Sequence, residues 1–572
     1  MYTPPLAEIT SMLATVGELD GLMPEEAGDL APSILAAAGK LAERVLAPLN
    51  PIGDRIGVTL SEGRVTLAPG FADAYDQYRR GGWTSLNADP EFGGQGLPFV
   101  LSCAVQEIFT SANMAFSLSA LLNNGAIAAL QAHGSAQQKQ DYLTQLIAGD
   151  WTGTMNLTEP QAGSDVGAIT TSASPAADGS YRIRGSKIFI TWGDHDAAEN
   201  IVHLVLARVE GAPKGTKGIS LFLVPKVLPD GTRNDLRCIS IEKKLGLHGS
   251  PTCTMSFGDH GQCIGWLVGE ENAGMRAMFT MMNHARISVA LQGVAIGERA
   301  LQQALAYAGD RVQSARIDAP GVPVAIIEHA DVRRMLFDLK ARTEAARALV
   351  YFTAATADRA HQAQTAEDRA AARARTDLLT PVAKAWATDA GVQVANDAIQ
   401  IFGGMGFIEE TGAAQHLRDA RIAPIYEGTN GIQALDLVLR KLPAGGGAAW
   451  RDLLAEFRGA AVPDGCGEVA ERALAAVENA CEWALEQTPQ TLSAIAVPLL
   501  QAFGTVSAGM LLARQAAEDR KSADSFIEAK RRTAVYFFLT HLQRVESDLA
   551  SLADRSRAIA ETDAGMLASS FA

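Results

Sequence analysis

The chain has 572 residues, of which 48% are hydrophobic and 20% charged. That balance excludes a disordered or fibrous polymer and, at about 100–200 residues per domain, provides for roughly three to five packed units. Lys and Arg number 49 against 64 Asp and Glu, a formal charge of −15, so the molecule as a whole has no attraction for nucleic acid or for an anionic membrane surface.

Six scattered cysteines form no C-x-x-C pair and have no histidine at ligand spacing. This excludes a disulfide scaffold and a zinc module and fits a reducing compartment. No Lys or Arg precedes Lys40, so a basic leader is missing, and no uninterrupted apolar run approaches the ~18 residues of a membrane span. We expect a soluble, cytoplasmic protein with no bound metal.

A short N-terminal extension occupies residues 1–34. Residues 35–150 read as a helical domain, with helices over Pro98 to Ala115 and Gln137 to Ala148 separated from the preceding region by the breaker FGGQGLP at 92–98. Residues 151–270 carry short β-branched runs at Tyr181 to Thr191, Ile201 to Arg208, Gly218 to Val224 and Thr252 to Phe257, with turn clusters between them. Strands at this spacing predict a central antiparallel β domain. Residues 271–442 return to long helical periods, Met275 to Val312, Glu328 to Ala355 and Pro381 to Phe402, as in a four-helix bundle. Ala319 to Pro323 reads as a connector and PAGGG at 443–447 as a flexible linker. Residues 443–572 form an additional C-terminal helical domain, with helices expected over Glu468 to Glu486, Thr491 to Arg520 and Phe526 to Ala553. The predicted class is α+β, multidomain.

Four loop clusters carry the candidate chemistry. Met155 to Asp165 (MNLTEPQAGSD) packs hydroxyls, carboxylates, Pro and Gly into eleven residues, and its Thr158 and Ser164 could bind carbonyl or phosphate edges. Gly185 to Gly193 (GSKIFITWG) can present Thr191 and one aromatic, Phe189 or Trp192, to a flat ligand. Glu242 to Thr252 is mildly basic. Taken singly, each also reads as an ordinary connecting segment or strand. In Arg418 to Leu442, Arg418, Asp419 and Arg421 suggest an ion network, and Thr429 or Asn430 can cap the following helix. Glu427 sits at an abrupt turn, where desolvation would raise its pKa and make it a better base. It could equally complement the helix N-terminus. No G-x-G-x-x-G follows a strand, no P-loop occurs, and no G-x-S-x-G elbow occurs. The histidines, His195, His284 and His416 among them, read as structural.

Together TEPQAGSD, GSKIFIT, GLHGSPT, QIFGGMGF and RDARIAPIYEGTNGIQ, in this order, resemble the acyl-CoA dehydrogenase family over about residues 35–442. The extra N- and C-terminal segments resemble its larger 3-methylmercaptopropionyl-CoA dehydrogenase-like subgroup. The resemblance implies bound FAD, with the flavin against Met155, Leu157, Thr158, Phe189 and Thr191, and Ser164 facing the phosphates or the thioester ligand. It implies an adenosine and pyrophosphate site at Arg311, Gln400, Gly403, Gly404 and Thr429, partly shared with a neighbouring subunit. Ser164, Arg286, Glu427 and Gly428 would contact the substrate. Glu427 matches the family's catalytic base, and the alternative base position before Arg286 holds Ala285, which cannot act. The implied reaction is α,β-dehydrogenation of an acyl-CoA to the trans-2-enoyl-CoA, with hydride passing to flavin N5 and electrons to an electron-transfer flavoprotein. Other readings are an oxygen-using oxidase and a flavin-containing, alkylation-response nucleic-acid binder, the latter requiring a basic patch from Lys530, Arg531, Arg532 and Arg544. Phe189 replaces the family's usual Trp, His248 stands where Arg is common, and V-Q-S-A follows Arg311 where F-G is usual. The bulky tail implies a homodimer.

Overall fold

The computed structural model describes residues 2–24, 30–517 and 524–569. The N-terminal segment is part of the core. Its helix Leu6–Thr15 buries Ile9, Met12 and Leu13, an i, i+3, i+4 stripe, and Tyr2 is buried just before it. Glu8 of this helix pairs with the buried Lys530 near the other end of the chain, which also binds Glu344 at 2.7 Å.

The helix expected over Pro98 to Ala115 forms as Phe99–Ala112, and a further helix, Met114–His133, follows it directly. The break is at Asn113, which leaves helical geometry (φ −158°, ψ 93°) and accepts a hydrogen bond from Phe116 N at 3.1 Å. That side chain caps Met114–His133. Almost every residue of this second helix is buried, so it shows no one-sided apolar stripe for sequence periodicity to detect.

The β domain contains the four expected strands, Tyr181–Thr191, Asn200–Val209, Ile219–Pro225 and Thr252–Phe257, together with Trp151–Asn156, Ser172–Pro175, Leu236–Ile241 and Ile264–Val268. Ile264–Val268 pairs with both Ile219–Pro225 and Tyr181–Thr191, which closes part of the sheet into a ring. Most pairs are antiparallel. Two are parallel, because Trp151–Asn156 and Ser172–Pro175 both lie alongside Asn200–Val209. The register slips between Lys187 and Ile190, so the strand bulges where Phe189 sits.

Three long helices, Gly274–Asp310, Ala330–Gln362 and Ala366–Phe402, form the bundle. The first and third cross closely at Gly293 and Gly391, where a Cβ on Gly293 would fall 2.1 Å from the Ala387 carbonyl oxygen. The shorter helix Asn430–Asp436, extended by a π turn over Leu437–Lys441, packs on the third. The connector at Ala319 to Pro323 belongs to a β-hairpin, Val312–Arg316 with Ala319–Ala325.

The expected flexible linker at 443–447 is an ordered turn instead. Gly445, Gly446 and Gly447 all have positive φ, and the Trp450 indole donates to the Leu442 carbonyl at 3.2 Å. In the tail, Gly467–Leu485 and Pro489–Ala517 match expectation. The residues 518–520 of the second predicted tail helix lie outside the described residues. The third breaks into Ser525–Thr540, Val545–Ala550 and Leu552–Ala560. Pro489–Ala517 is apolar and long enough to span a bilayer, with mean hydropathy 1.7 over its best window, but 78% of that window is buried inside the protein. Its apolarity is accounted for by its place in the tail's core.

Candidate active site

The turn carrying Glu427 is held by the first and third bundle helices and by the short helix that follows it. Glu427 adopts φ +55°, and Gly428 adopts φ +83°. A non-glycine residue in the left-handed region costs about 1–2 kcal/mol, so neighbouring bonds must hold it. The Glu427 carbonyl accepts from Gln433 Nε2 at 3.2 Å and from Arg286 Nε at 3.4 Å. The Gly428 carbonyl accepts from Lys384 Nζ at 3.0 Å and from Gln433 Nε2 at 3.2 Å. Thr429, of the two expected candidates, caps Asn430–Asp436 by accepting from Ile432 N at 3.2 Å. The Tyr426 hydroxyl donates to Gln292.

Burial raises the Glu427 carboxyl above its ordinary range, while the charges of Arg286 and Lys384 pull it back. A desolvated carboxylate flanked by two cations can take up a proton near neutral pH and release it again. Arg286 is itself buried and faces Asp436 at 3.8 Å.

The structure brings together Arg286, Glu427, Gly428 and Thr429. A second group forms where Trp151–Asn156 leaves the sheet. Ile188 N donates to the Thr158 carbonyl at 2.9 Å, which joins Met155, Leu157 and Thr158 to the bulge of Phe189 and Thr191. Phe189 has φ +60° and is 58% exposed. Trp192 is the buried member of the pair and donates to the Ala115 carbonyl at 3.3 Å. Beneath the loop, Glu159 receives Lys187 Nζ at 2.8 Å and bonds from the backbone and hydroxyls of Thr170 and Thr171. Ser164 lies apart on an exposed stretch.

A third group lies at one end of the bundle. Tyr307 and Phe402 stack with centroids 4.3 Å apart. Arg311, one turn beyond Tyr307, and Gly403, next to Phe402, therefore share that end with Gln400 and Gly404, all exposed. A Cβ on Gly403 or Gly404 would meet nothing within 4 Å.

The basic loop at 242–252 is turned inward. Lys244 donates to the Ser250 carbonyl at 3.0 Å, His248 bonds the Asp54 and Lys244 carbonyls, and Leu247 N donates to Asp419 at 2.6 Å. Arg418 binds Asp54 and Glu409, so the expected ion network runs to those partners. Burial pushes His195 and His416 down to about 3 and His284 to about 4, which holds these three neutral. Within the proposed basic patch, Lys530 is spent on Glu8 and Glu344, and Arg532 pairs with Glu528.

Sequence reasoning missed Lys384 and Gln433. The signal for Lys384 was available: a lone lysine in the apolar run PVAKAWA, where an unpaired cation would be costly. Gln433 had no such signal.

The groups fit a flavin dinucleotide. The hydroxyls of Thr158 and Thr191 make no hydrogen bond among the described residues, the Phe189 ring is open for stacking, and the two bundle-end glycines leave their backbone accessible.

Four family descriptions match in chain order. They are the acyl-CoA dehydrogenase N-terminal domain at 62–150, its middle domain at 154–260, its C-terminal domain at 272–442, and the acetyl-CoA dehydrogenase C-terminal-like domain at 455–563. The 3-methylmercaptopropionyl-CoA dehydrogenase of Ruegeria pomeroyi is 47% identical over 512 residues, 86% of each chain. Among solved structures, an acyl-CoA dehydrogenase complexed with FAD from Bacillus anthracis is 22% identical with a TM-score of 0.76, covering 98% of this chain and 94% of that one. A chain in the structure titled for the electron transferring flavoprotein of Acidaminococcus fermentans is 28% identical with a TM-score of 0.61, covering 74% and 100%.

Proposed function

This chain belongs to the acyl-CoA dehydrogenase family, and from that premise we propose that it converts an acyl-CoA thioester to the trans-2-enoyl-CoA with Glu427 as the base. The observation that carries the reading is the Glu427 turn: a half-buried carboxylate, fixed through its own carbonyl and that of Gly428, within electrostatic reach of the Arg286 and Lys384 charges.

A thioester α-proton is a weak acid, so its removal needs a base of raised pKa and an anchored thioester oxygen. Glu427 supplies the carboxylate. Its backbone N–H makes no hydrogen bond among the described residues, which leaves it for that oxygen. Arg286 and Gly428 line the same place, and Ser164 would meet the ligand from its loop. FAD, the family's cofactor, accepts the β-hydrogen as hydride when bound. Met155, Leu157, Thr158, Phe189 and Thr191 would hold its flavin end. Arg311, Gln400, Gly403, Gly404 and Thr429 would hold its adenosine and pyrophosphate end, Thr429 through the N-terminus of the helix it caps.

The adenosine and pyrophosphate site would be completed by a partner in a cytoplasmic homodimer. In support, the surface beside Arg311 and Gly403 carries exposed apolar groups: Ile317, Val322 and Phe407. Electrons would pass to an electron-transfer flavoprotein. The likeness to a chain solved in a structure titled for such a flavoprotein supports this acceptor.

The test is anaerobic flavin bleaching by acyl-CoAs of graded length, with a thioether-bearing acyl-CoA among them. Glu427→Gln should keep FAD and lose bleaching by about 10²–10⁴-fold, the size of a general-base contribution. A variant that still bleaches at the parent rate would put the base elsewhere.

A further inference from the structure

Lys384 lies inside the third bundle helix and is fully buried. Its ammonium donates to the Gly428 carbonyl at 3.0 Å and to Asn430 Oδ1 at 2.9 Å. The amide of Asn430 is thereby oriented: Lys384 can only donate, so oxygen faces it, and Nδ2 is turned to the acceptors behind. Nδ2 donates to Asp389 Oδ1 at 2.8 Å and to the Ala385 carbonyl at 3.1 Å. The other oxygen of Asp389 accepts from Gln501 Nε2 at 2.6 Å, and Gln501 stands on Pro489–Ala517 of the C-terminal domain. A continuous chain therefore runs from Gln501 through Asp389, Asn430 and Lys384 to the residue after Glu427.

We propose that Lys384 is a positioning residue for the base, held by this chain from the C-terminal domain, and that it fixes the Glu427 turn and keeps the carboxylate ionised. The inference rests on Glu427 being the base, and it gives the tail domain a part in the reaction. Glu427 faces Arg286 from the first helix, Lys384 from the third, and Tyr426 beside it. Lys384 faces Glu427, Asp389 and Arg286. Arg286 is partly offset by Asp436, whereas Asp389, the carboxylate besides Glu427 that acts on Lys384, is shared with Asn430 and Gln501. Burial pushes Lys384 down to about 8, so it is a cation near neutrality and loses its charge in mild alkali.

The test uses FAD-loaded enzyme and an acyl-CoA with sulfur in place of the β-carbon. This thioester can lose its α-proton but has no β-hydride to give. Exchange of the α-proton with deuterated water, followed from pH 6 to 9, reads the base directly. Lys384→Met should slow exchange about tenfold at pH 6, as expected for removal of one nearby opposite charge, and leave it within about twofold at pH 9. Gln501→Leu should slow it about threefold at pH 6, with unchanged thermal stability. If the Lys384→Met profile superimposes on the parent while Glu427→Gln does not exchange, the inference falls and the base assignment stands. If Glu427→Gln exchanges normally, the base assignment itself falls. Should Lys384→Met fail to fold, Gln501→Leu decides: a parental profile overturns the proposal and an acid-side loss upholds it.

Discussion

Arg347 grips Glu107 through two nitrogens, Nε at 2.9 Å and Nη2 at 2.7 Å, with both side chains wholly buried. Glu107 belongs to the N-terminal helical domain and Arg347 to the second bundle helix, so the pair joins two domains. Glu298 adds a contact to Arg347 at 2.8 Å, and the Tyr351 hydroxyl donates to Glu107 at 2.8 Å. Removing the cation leaves two buried carboxylates without their partner. Arg347→Met should cost about 3–5 kcal/mol, with Arg347→Met/Glu107→Leu recovering part of the loss. Urea unfolding measures both, and a loss below about 1 kcal/mol for the single variant would contradict the account.

Phe189 offers a separable test of cofactor binding. The residue is 58% exposed and its φ is +60°, so it contributes little to the core and strains the backbone. Phe189→Gly should leave the apoprotein as stable as the parent, or about 1 kcal/mol more stable, while weakening FAD by about tenfold through lost stacking. Apoprotein melting and FAD titration read the two effects independently. Unchanged FAD affinity would remove Phe189 from the flavin site.

Glu159 should govern part of the acid stability. Burial alone would raise its pKa, but the Lys187 charge, with bonds from Lys187, Thr171 and Thr170, outweighs burial and holds it at about 2. A carboxyl depressed in the fold stabilises fully above its unfolded value, near 4.5, and loses that contribution as pH falls toward the folded value. Glu159→Gln strands a buried lysine and should be about 3–5 kcal/mol less stable than the parent at pH 7. The gap should narrow steadily below pH 4.5. A pH-independent gap would show that the pair's ionisation is not what stabilises the loop.

The hairpin and the bundle-end turn should be the dimer contact. Val322 and Phe407 are 74% and 87% exposed, a large apolar cost for a free surface. Val322→Glu/Phe407→Glu should sediment as a monomer and bind FAD at least tenfold more weakly, with the same melting temperature per subunit. A double variant that still sediments as a dimer would place the interface elsewhere.

The amino-acid sequence by itself determined the order of helical, β and helical domains and the position of Glu427 at a turn. These are local properties: apolar spacing along a helix or strand, and Pro, Gly and capping residues at its ends. Where locality failed, the reading failed. The Met114–His133 helix is buried on nearly every side and lacks an amphipathic period, and the glycines at 445–447 looked like slack until Trp450 and Leu442 closed over them. Only the tertiary structure decided which distant side chains meet. Lys384 reaches Gly428 across 44 residues, Arg347 reaches Glu107 across 240, and Lys530 reaches Glu8 across 522. Such pairings depend on how helices cross and which charges must be matched once water is excluded, and no spacing within one segment encodes them.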